Sequence, residues 1–291
     1  MAPVDELDDA LEAFNQARPR LFGVAYRILG SAAEAEDIVQ EAWLRWQQHD
    51  RASVRSPAAF LTTVTTRLAI NSVGSARARH ETYVGPWLPE PVSTTEDPTL
   101  GAERAEALEL ATLLLMESLG PDQRAAYVLR EAFDYSYEKI AEILSVSVVN
   151  ARQLVSRAKK HIGSGRKQPV DMAEYHRLLA AFVSAARDGE VKRLEALLSE
   201  DVVSRSDGAG IVPSAARRPV RGRDRVARFL AGWSDRWWPE VTVEWAQING
   251  LPGLLMRRDG APAAVLSISA SPDGIDEIMW QMVPDKLRRA M

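Results

Sequence analysis

The 291 residues suffice for two or three domains, and a composition of 46% hydrophobic and 26% charged residues supplies ample core without staples. There is no cysteine, which excludes disulfides, thiolate metal sites and cysteine nucleophiles, and a net charge of −4 argues against general nucleic-acid avidity. The acidic start MAPVDELDDALEAF is not a signal peptide and no apolar run nears the ~18 residues of a membrane span, so a cytoplasmic chain without membrane contact, metal or cofactor is expected.

Residues 1–165 have helical periodicity. Leu21, Val24, Ala25, Ile28 and Leu29 recur at helix spacing until Gly30 and Ser31 stop the pattern, and Ser31 is placed to cap the next helix. There Val39, Trp43 and Trp46 make an apolar stripe, with Glu34, Asp37 and Glu41 on another face. Pro57 opens a third helix carrying Phe60, Leu61, Val64 and Leu68. Residues 83–101 hold four Pro and two Gly, so they form a linker, and helices resume at about 102, with a break at Gly120-Pro121.

Charge is uneven along this half. Residues 51–80 contain five Arg and no acid, and residues 147–168 contain six Lys or Arg and no acid. Such stretches are either phosphate-facing surfaces or solvated helix faces. The sharper signal is SYEKIAEILSVSVVNARQLVSRAKKH at 136–161. Tyr137, Ile140, Ala141 and Leu144 define one buried face, Ser145-Val146-Ser147 a turn, and Ser147 a cap. Ala151, Leu154, Val155 and Ala158 bury the next helix, leaving Asn150, Arg152, Gln153, Arg157, Lys159 and Lys160 outside. A DNA-reading helix needs that division, because Arg pairs with guanine and Asn or Gln with adenine while further cations neutralise phosphates. An ordinary helical hairpin with a polar outer face has the same periodicity.

After GSGRKQP at 163–169 the texture changes. Helical patterns at 172–187 and 190–198 precede alternating segments at 241–248, 263–270 and 275–283, which predict a curved antiparallel sheet in a small α+β domain. Glu244, Asp276 and Glu277 lie on these strands with Arg257 and Arg258 near a turn, and His176 is the domain's single His. Trp233, Trp237, Trp238, Trp245 and Trp280 are either pocket or plain core.

With the hairpin in place, LFGVAYRILGSAAEAEDIVQEAWLRW at 21–46 and SPAAFLTTVTTRLAINSVGSARARHETY at 56–83 resemble sigma region 2 of extracytoplasmic-function (ECF) sigma factors, and 107–162 resemble region 4. WLPEP at 87–91 resembles a linker signature of the SigJ-like group, whose members carry a fused SnoaL-like domain. Residues 172–287 look like that domain, with its NTF2-like cone fold. Asp207-Gly208-Ala209-Gly210 matches the group's DGGG-type motif and Val283-Pro284-Asp285-Lys286-Leu287 its NPDKL-type motif, each with one departure, at Ala209 and Val283. The fold class expected is therefore multidomain, with two all-α sigma domains and a C-terminal α+β cone. The expected boundaries are 1–84 for region 2, 85–105 for the linker, 106–163 for region 4, 164–170 for a second linker and 171–291 for the regulatory domain.

The resemblance implies partners and roles. Asp37, Gln40 and Glu41 share a helix face, and this face would dock on the β′ clamp helices of RNA polymerase core, with region 4 reaching the β flap. Arg67, Asn71, Arg77 and Arg79 would handle the −10 element of promoter DNA, with stacking help from His80 and Tyr83, and Asn150, Arg152, Gln153, Arg157 and Lys160 would read the −35 element. Two prolines fix an extended path for Trp87, Leu88, Pro89, Glu90 and Pro91, suited to lie against the C-terminal domain. Asp207, Gly208, Gly210, Pro284, Asp285, Lys286 and Leu287 complete the interdomain regulatory set. Regulation in cis is expected and catalysis is not, while a small ligand of the C-terminal domain stays open. Two other readings are a one-component helix-turn-helix regulator with a ligand-sensing domain and an enzyme with an appended DNA-binding half.

Overall fold

The helices of the N-terminal half end where capping residues stand. In a computed structural model of the chain, residues 4–81, 83–94 and 108–290 are described, the side chains of 4–7 and 75–81 apart. Helix α1 spans Val4–Leu29 and α2 spans Ala32–Gln48, with the Ser31 side chain accepting from the Glu34 amide as N-cap. Helix α3 runs Pro57–Glu81. Helices α4 (Leu110–Met116), α5 (Pro121–Glu131), α6 (Tyr137–Leu144) and α7 (Val148–Gly165) follow. Ser136 caps α6 by accepting from the Lys139 amide, and Ser147 caps α7 by accepting from the Asn150 amide.

The described residues fall into two compact units, the first holding 4–81, 108 and 115–162, the second 83–94, 109–114 and 163–290. In the first unit α1, α2 and α3 bury Leu21, Ala25, Ile28 and Leu61 completely. This three-helix body packs on the hairpin helices of the same unit through polar bonds as well as apolar contacts. Buried Arg124 of α5 donates to the Ile28 carbonyl at 2.8 Å and pairs with Glu117 at 2.7 Å. The guanidinium groups of Arg20 and Arg27 lie over the Phe133 ring at 5.3 and 5.2 Å.

The second unit contains α8 (Met172–Asp188), α9 (Val191–Leu197), β1 (Leu198–Asp207), β2 (Val220–Arg221), α10 (Arg223–Ala231), α11 (Ser234–Trp237), β3 (Thr242–Ile248), β4 (Leu251–Arg258), β5 (Ala261–Ser271), β6 (Gly274–Gln281) and α12 (Pro284–Leu287). The strands form one sheet in the order β2-β1-β6-β5-β4-β3. Helices α8 to α11 cover one face of it, where Phe182, Val202, Val226, Leu254 and Ile278 form the core and the Tyr175 hydroxyl donates to the Ile268 carbonyl at 3.0 Å.

Two expectations need correction. The sheet is mixed, because β1 runs parallel to β6. Strand β1 was absent from the strands read in the sequence, since its buried positions include Ser199, Ser204, Ser206 and Asp207, which break the apolar alternation. Leu154, expected in the α7 core, is half-buried, while Ala151, Val155, Ala158 and Ile162 carry that face.

Candidate nucleic-acid interface and linker anchor

Helix α7 presents its outer face as expected. Asn150, Arg152, Gln153, Arg157 and Lys160 are all exposed, on an element held from behind by fully buried Ala151 and Ala158. Arg157 and Lys160 make no ion pair among the described residues, whereas Arg152 lies over the Tyr137 ring at 5.3 Å and 3.9 Å from Glu138. Lys159 is turned back to Glu131 at 3.0 Å. The basic stretch is shorter than its sequence implies. Arg166 pairs with Glu109 at 2.8 Å, and Lys167 pairs with Asp201 at 2.8 Å and Asp276 at 2.7 Å. Hydrogen bonds to those two carboxylates hold the Lys167 ammonium above the usual lysine range. Both cations serve to tie the end of α7 to the C-terminal unit's own acids.

Arg67 of α3 has a local partner too. Its guanidinium donates to the Ile143 carbonyl at 2.9 Å, the Glu142 carbonyl at 3.3 Å and the Ser145 hydroxyl at 2.8 Å, so it caps the C-terminus of α6 at the hairpin turn. Ser145 sits in the left-handed region there, with φ 56°. Asn71 of α3 is exposed. Arg77, Arg79 and His80 continue α3, and their side chains lie outside the described residues. On α2, Asp37 and Gln40 are exposed and Glu41 is half-buried, paired with Arg45 at 3.0 Å.

The linker motif meets a buried carboxylate. Asp207, at the end of β1, is fully buried and gathers four donors. They are the Tyr83 hydroxyl at 2.6 Å, the Leu88 amide at 2.9 Å, the Gln281 side-chain amide at 3.1 Å and the Lys286 ammonium at 2.7 Å. The same ammonium donates to the Leu88 carbonyl at 3.0 Å and lies 4.8 and 5.0 Å from the Trp87 and Tyr83 ring centres. A buried charge is tolerated only when paired and hydrogen-bonded, and here both conditions hold. Burial, then the hydrogen bond and charge of Asp207, push the Tyr83 hydroxyl well above the usual tyrosine value. Leu88, Pro89 and Pro91 are buried, while Trp87 and Glu90 are half-buried.

The motif glycines permit this approach. A side chain at Gly208 would collide with Ala215 and Val212, and one at Gly210 would sit 2.7 Å from Val84 of the linker. Ala209 occupies the left-handed region at φ 50°. In the second motif Lys286 and buried Leu287 face inward, whereas Pro284 and Asp285 are exposed and Asp285 pairs with Arg288 at 2.7 Å. Val283, where the related motif has Asn, gives α12 no side-chain cap.

Several anchor residues escaped the sequence reading. Asn249 accepts from the Val92 amide at 3.0 Å through its side chain and donates its own amide to the Val92 carbonyl at 2.9 Å. The Ser93 amide reaches the Arg289 carbonyl at 2.8 Å and the Thr94 amide the Gln247 carbonyl at 2.9 Å. The Asn249-Gly250 pair, with φ 53° and 81°, is a tight hairpin turn whose dipeptide signal was available between two apolar runs. Tyr83, expected to stack on DNA, binds Asp207 instead, and Gln281 carried no sequence signal. The strand carboxylates do not converge, for Glu244 pairs with Arg257 at 3.2 Å, Glu277 with Arg205 at 2.6 Å and Asp276 with Lys167.

A helical N-terminal body, a helix-turn-helix and a linker seated on a cone-like α+β domain together define a multidomain sigma factor. Residues 13–79 match the Sigma-70 region 2 family model and residues 109–162 the Sigma-70 region 4 family model. The chain is 39% identical to the ECF RNA polymerase sigma factor SigJ of Mycobacterium tuberculosis, over 94% of this chain and 91% of that protein. It is 29% identical to the probable ECF RNA polymerase sigma factor SigI of the same species, over 96% of this chain and 95% of that one. The crystal structure of M. tuberculosis SigJ superposes with a TM-score of 0.78 at 35% identity, covering 96% of this chain and 99% of that one. The chain belongs to the extracytoplasmic-function RNA polymerase sigma factors, which direct promoter-specific transcription initiation.

Proposed function

We propose that this sigma factor restrains itself in cis, with the C-terminal domain holding the linker between regions 2 and 4 until polymerase core draws them apart. The observation that carries the reading is Asp207, a fully buried carboxylate whose donors come from the linker, from β6 and from the second C-terminal motif. A tether fixed on both sides of WLPEP limits how far regions 2 and 4 can separate. A partner that prefers the separated arrangement must work against that anchor, and output follows the balance of states.

In this reading the exposed Asp37, Gln40 and Glu41 face of α2 meets the β′ clamp helices, and region 4 meets the β flap. The outer face of α7 reads the −35 element, while Arg67, Asn71, Arg77 and Arg79 serve the −10 element. Arg67 then exchanges the carbonyls of α6 for nucleic acid when the regions part. The protein acts in the cytoplasm as an initiation factor and not as an enzyme. No helix among the described residues is long and apolar enough to cross a membrane.

Run-off transcription with purified core tests the proposal. Asp207→Asn and Lys286→Ala should each raise output at limiting core relative to the unaltered chain. Equal output from all three proteins sinks regulation by the anchor. Failure of the unaltered chain to join core at all would remove the polymerase reading as well.

A further inference from the structure

Four of the five C-terminal tryptophans meet at one cavity. Trp233, Trp237, Trp238 and Trp280 line it with Phe229 and Leu230, while Trp245 stands apart, half exposed, against the His176 ring. We propose that this cavity binds a neutral, flat aromatic molecule carrying a carbonyl acceptor.

The indole N–H groups carry the inference. Those of Trp237 and Trp280 are buried without a hydrogen-bond partner, on residues only 7% exposed. Buried indoles almost always find an acceptor, because an unmade hydrogen bond leaves the full desolvation cost standing. Two such donors on the wall of a single cavity suit an occupant that brings the acceptor. The ring geometry suits a flat guest: Trp238 meets Trp280 edge-on at 6.4 Å and 70°, and Phe229 meets Trp233 at 6.3 Å and 70°. The remaining lining residues are Ala186, Ser206, Ser214 and Met282, so the wall holds no carboxylate, ammonium or guanidinium. An ionic ligand would shed its hydration there with no counter-charge in return.

The cavity also backs onto the linker anchor. Ser206 is the register partner of Trp280, and Asp207 that of Gln281, on adjacent strands β1 and β6. Side chains alternate across a strand, so the cavity takes Ser206 and Trp280 while the anchor takes Asp207 and Gln281. The binding site stands whether or not that anchor regulates transcription.

Calorimetric titration of the full chain with methyl naphthyl ketone, naphthalene and decanoate tests the proposal. The ketone should bind saturably, naphthalene roughly tenfold more weakly for want of an acceptor, and decanoate not at all. Trp237→Phe and Trp280→Phe keep a ring but remove the N–H, so each should weaken the ketone by up to roughly tenfold and leave naphthalene unchanged. No saturable ketone binding, decanoate binding as tight as the ketone, or ketone affinity indifferent to both substitutions would overturn the assignment. Should one substitution unfold the domain, the ketone-to-naphthalene ratio in the unaltered chain reads the same hydrogen bond, and a ratio near one overturns it. Addition of the ketone to the transcription assay separately reports whether occupancy reaches the anchor.

Discussion

Asp207 concentrates more of this molecule's polar bonding than any apolar residue can. Its carboxylate answers donors from residues as far apart in sequence as Tyr83 and Lys286. Asp207→Ala leaves a buried ammonium, an amide and a hydroxyl without their acceptor, and should cost about 3–5 kcal/mol in denaturant unfolding of the C-terminal unit. Asp207→Asn keeps an acceptor and should cost less. Tyr83 adds a pH dependence. Its folded-state value is raised above the unfolded tyrosine value, so its contribution is complete below about pH 10 and is lost as pH climbs above that. Tyr83→Phe should shrink the alkaline loss of stability without abolishing it, because burial also raises Tyr175. Ala209 is the reverse case, an L-residue held at φ 50°. Ala209→Gly should raise stability by about 1 kcal/mol, and thermal melting would register it as an upward shift.

At the level of elements, α7 separates two kinds of cation. Arg157 and Lys160 project without ion pairs among the described residues, while Arg166 and Lys167 are bound to acids. Arg157→Ala or Lys160→Ala should each lower the slope of promoter affinity against salt by about one, as expected for one lost phosphate contact. Gln153→Ala should instead relax preference at one base pair by about 1–3 kcal/mol with little change in slope. An unchanged slope in both cation variants would move the DNA surface elsewhere. The amphipathic period and two serine caps made α6 and α7 legible in the sequence, since local bonds determine both. Strand β1 was not legible. Ser204, Ser206 and Asp207 are buried through partners that are remote in sequence, so no alternation announces the strand.

Taken whole, the first unit has regions 2 and 4 joined by two arginines, Arg67 at the α6 terminus and Arg124 at the Ile28 carbonyl. Both bonds must break if the regions bind promoter elements apart. Arg67→Ala should therefore tighten binding to core while weakening promoter opening, because one side chain is assigned to both states. Equilibrium core binding and permanganate footprinting would show the two effects moving in opposite directions. Binding and opening that fall together would mean Arg67 serves only the promoter complex.

The sequence alone determined the order of modules, the helix periods, the capping serines and the two C-terminal motifs, because each is written in neighbouring residues. Only the tertiary structure decided that Tyr83, Leu88, Gln281 and Lys286 share one carboxylate, that β1 lies parallel to β6, and that Arg67 caps a distant helix. Those facts depend on desolvated polar groups finding partners far along the chain, and no local pattern encodes such a pairing.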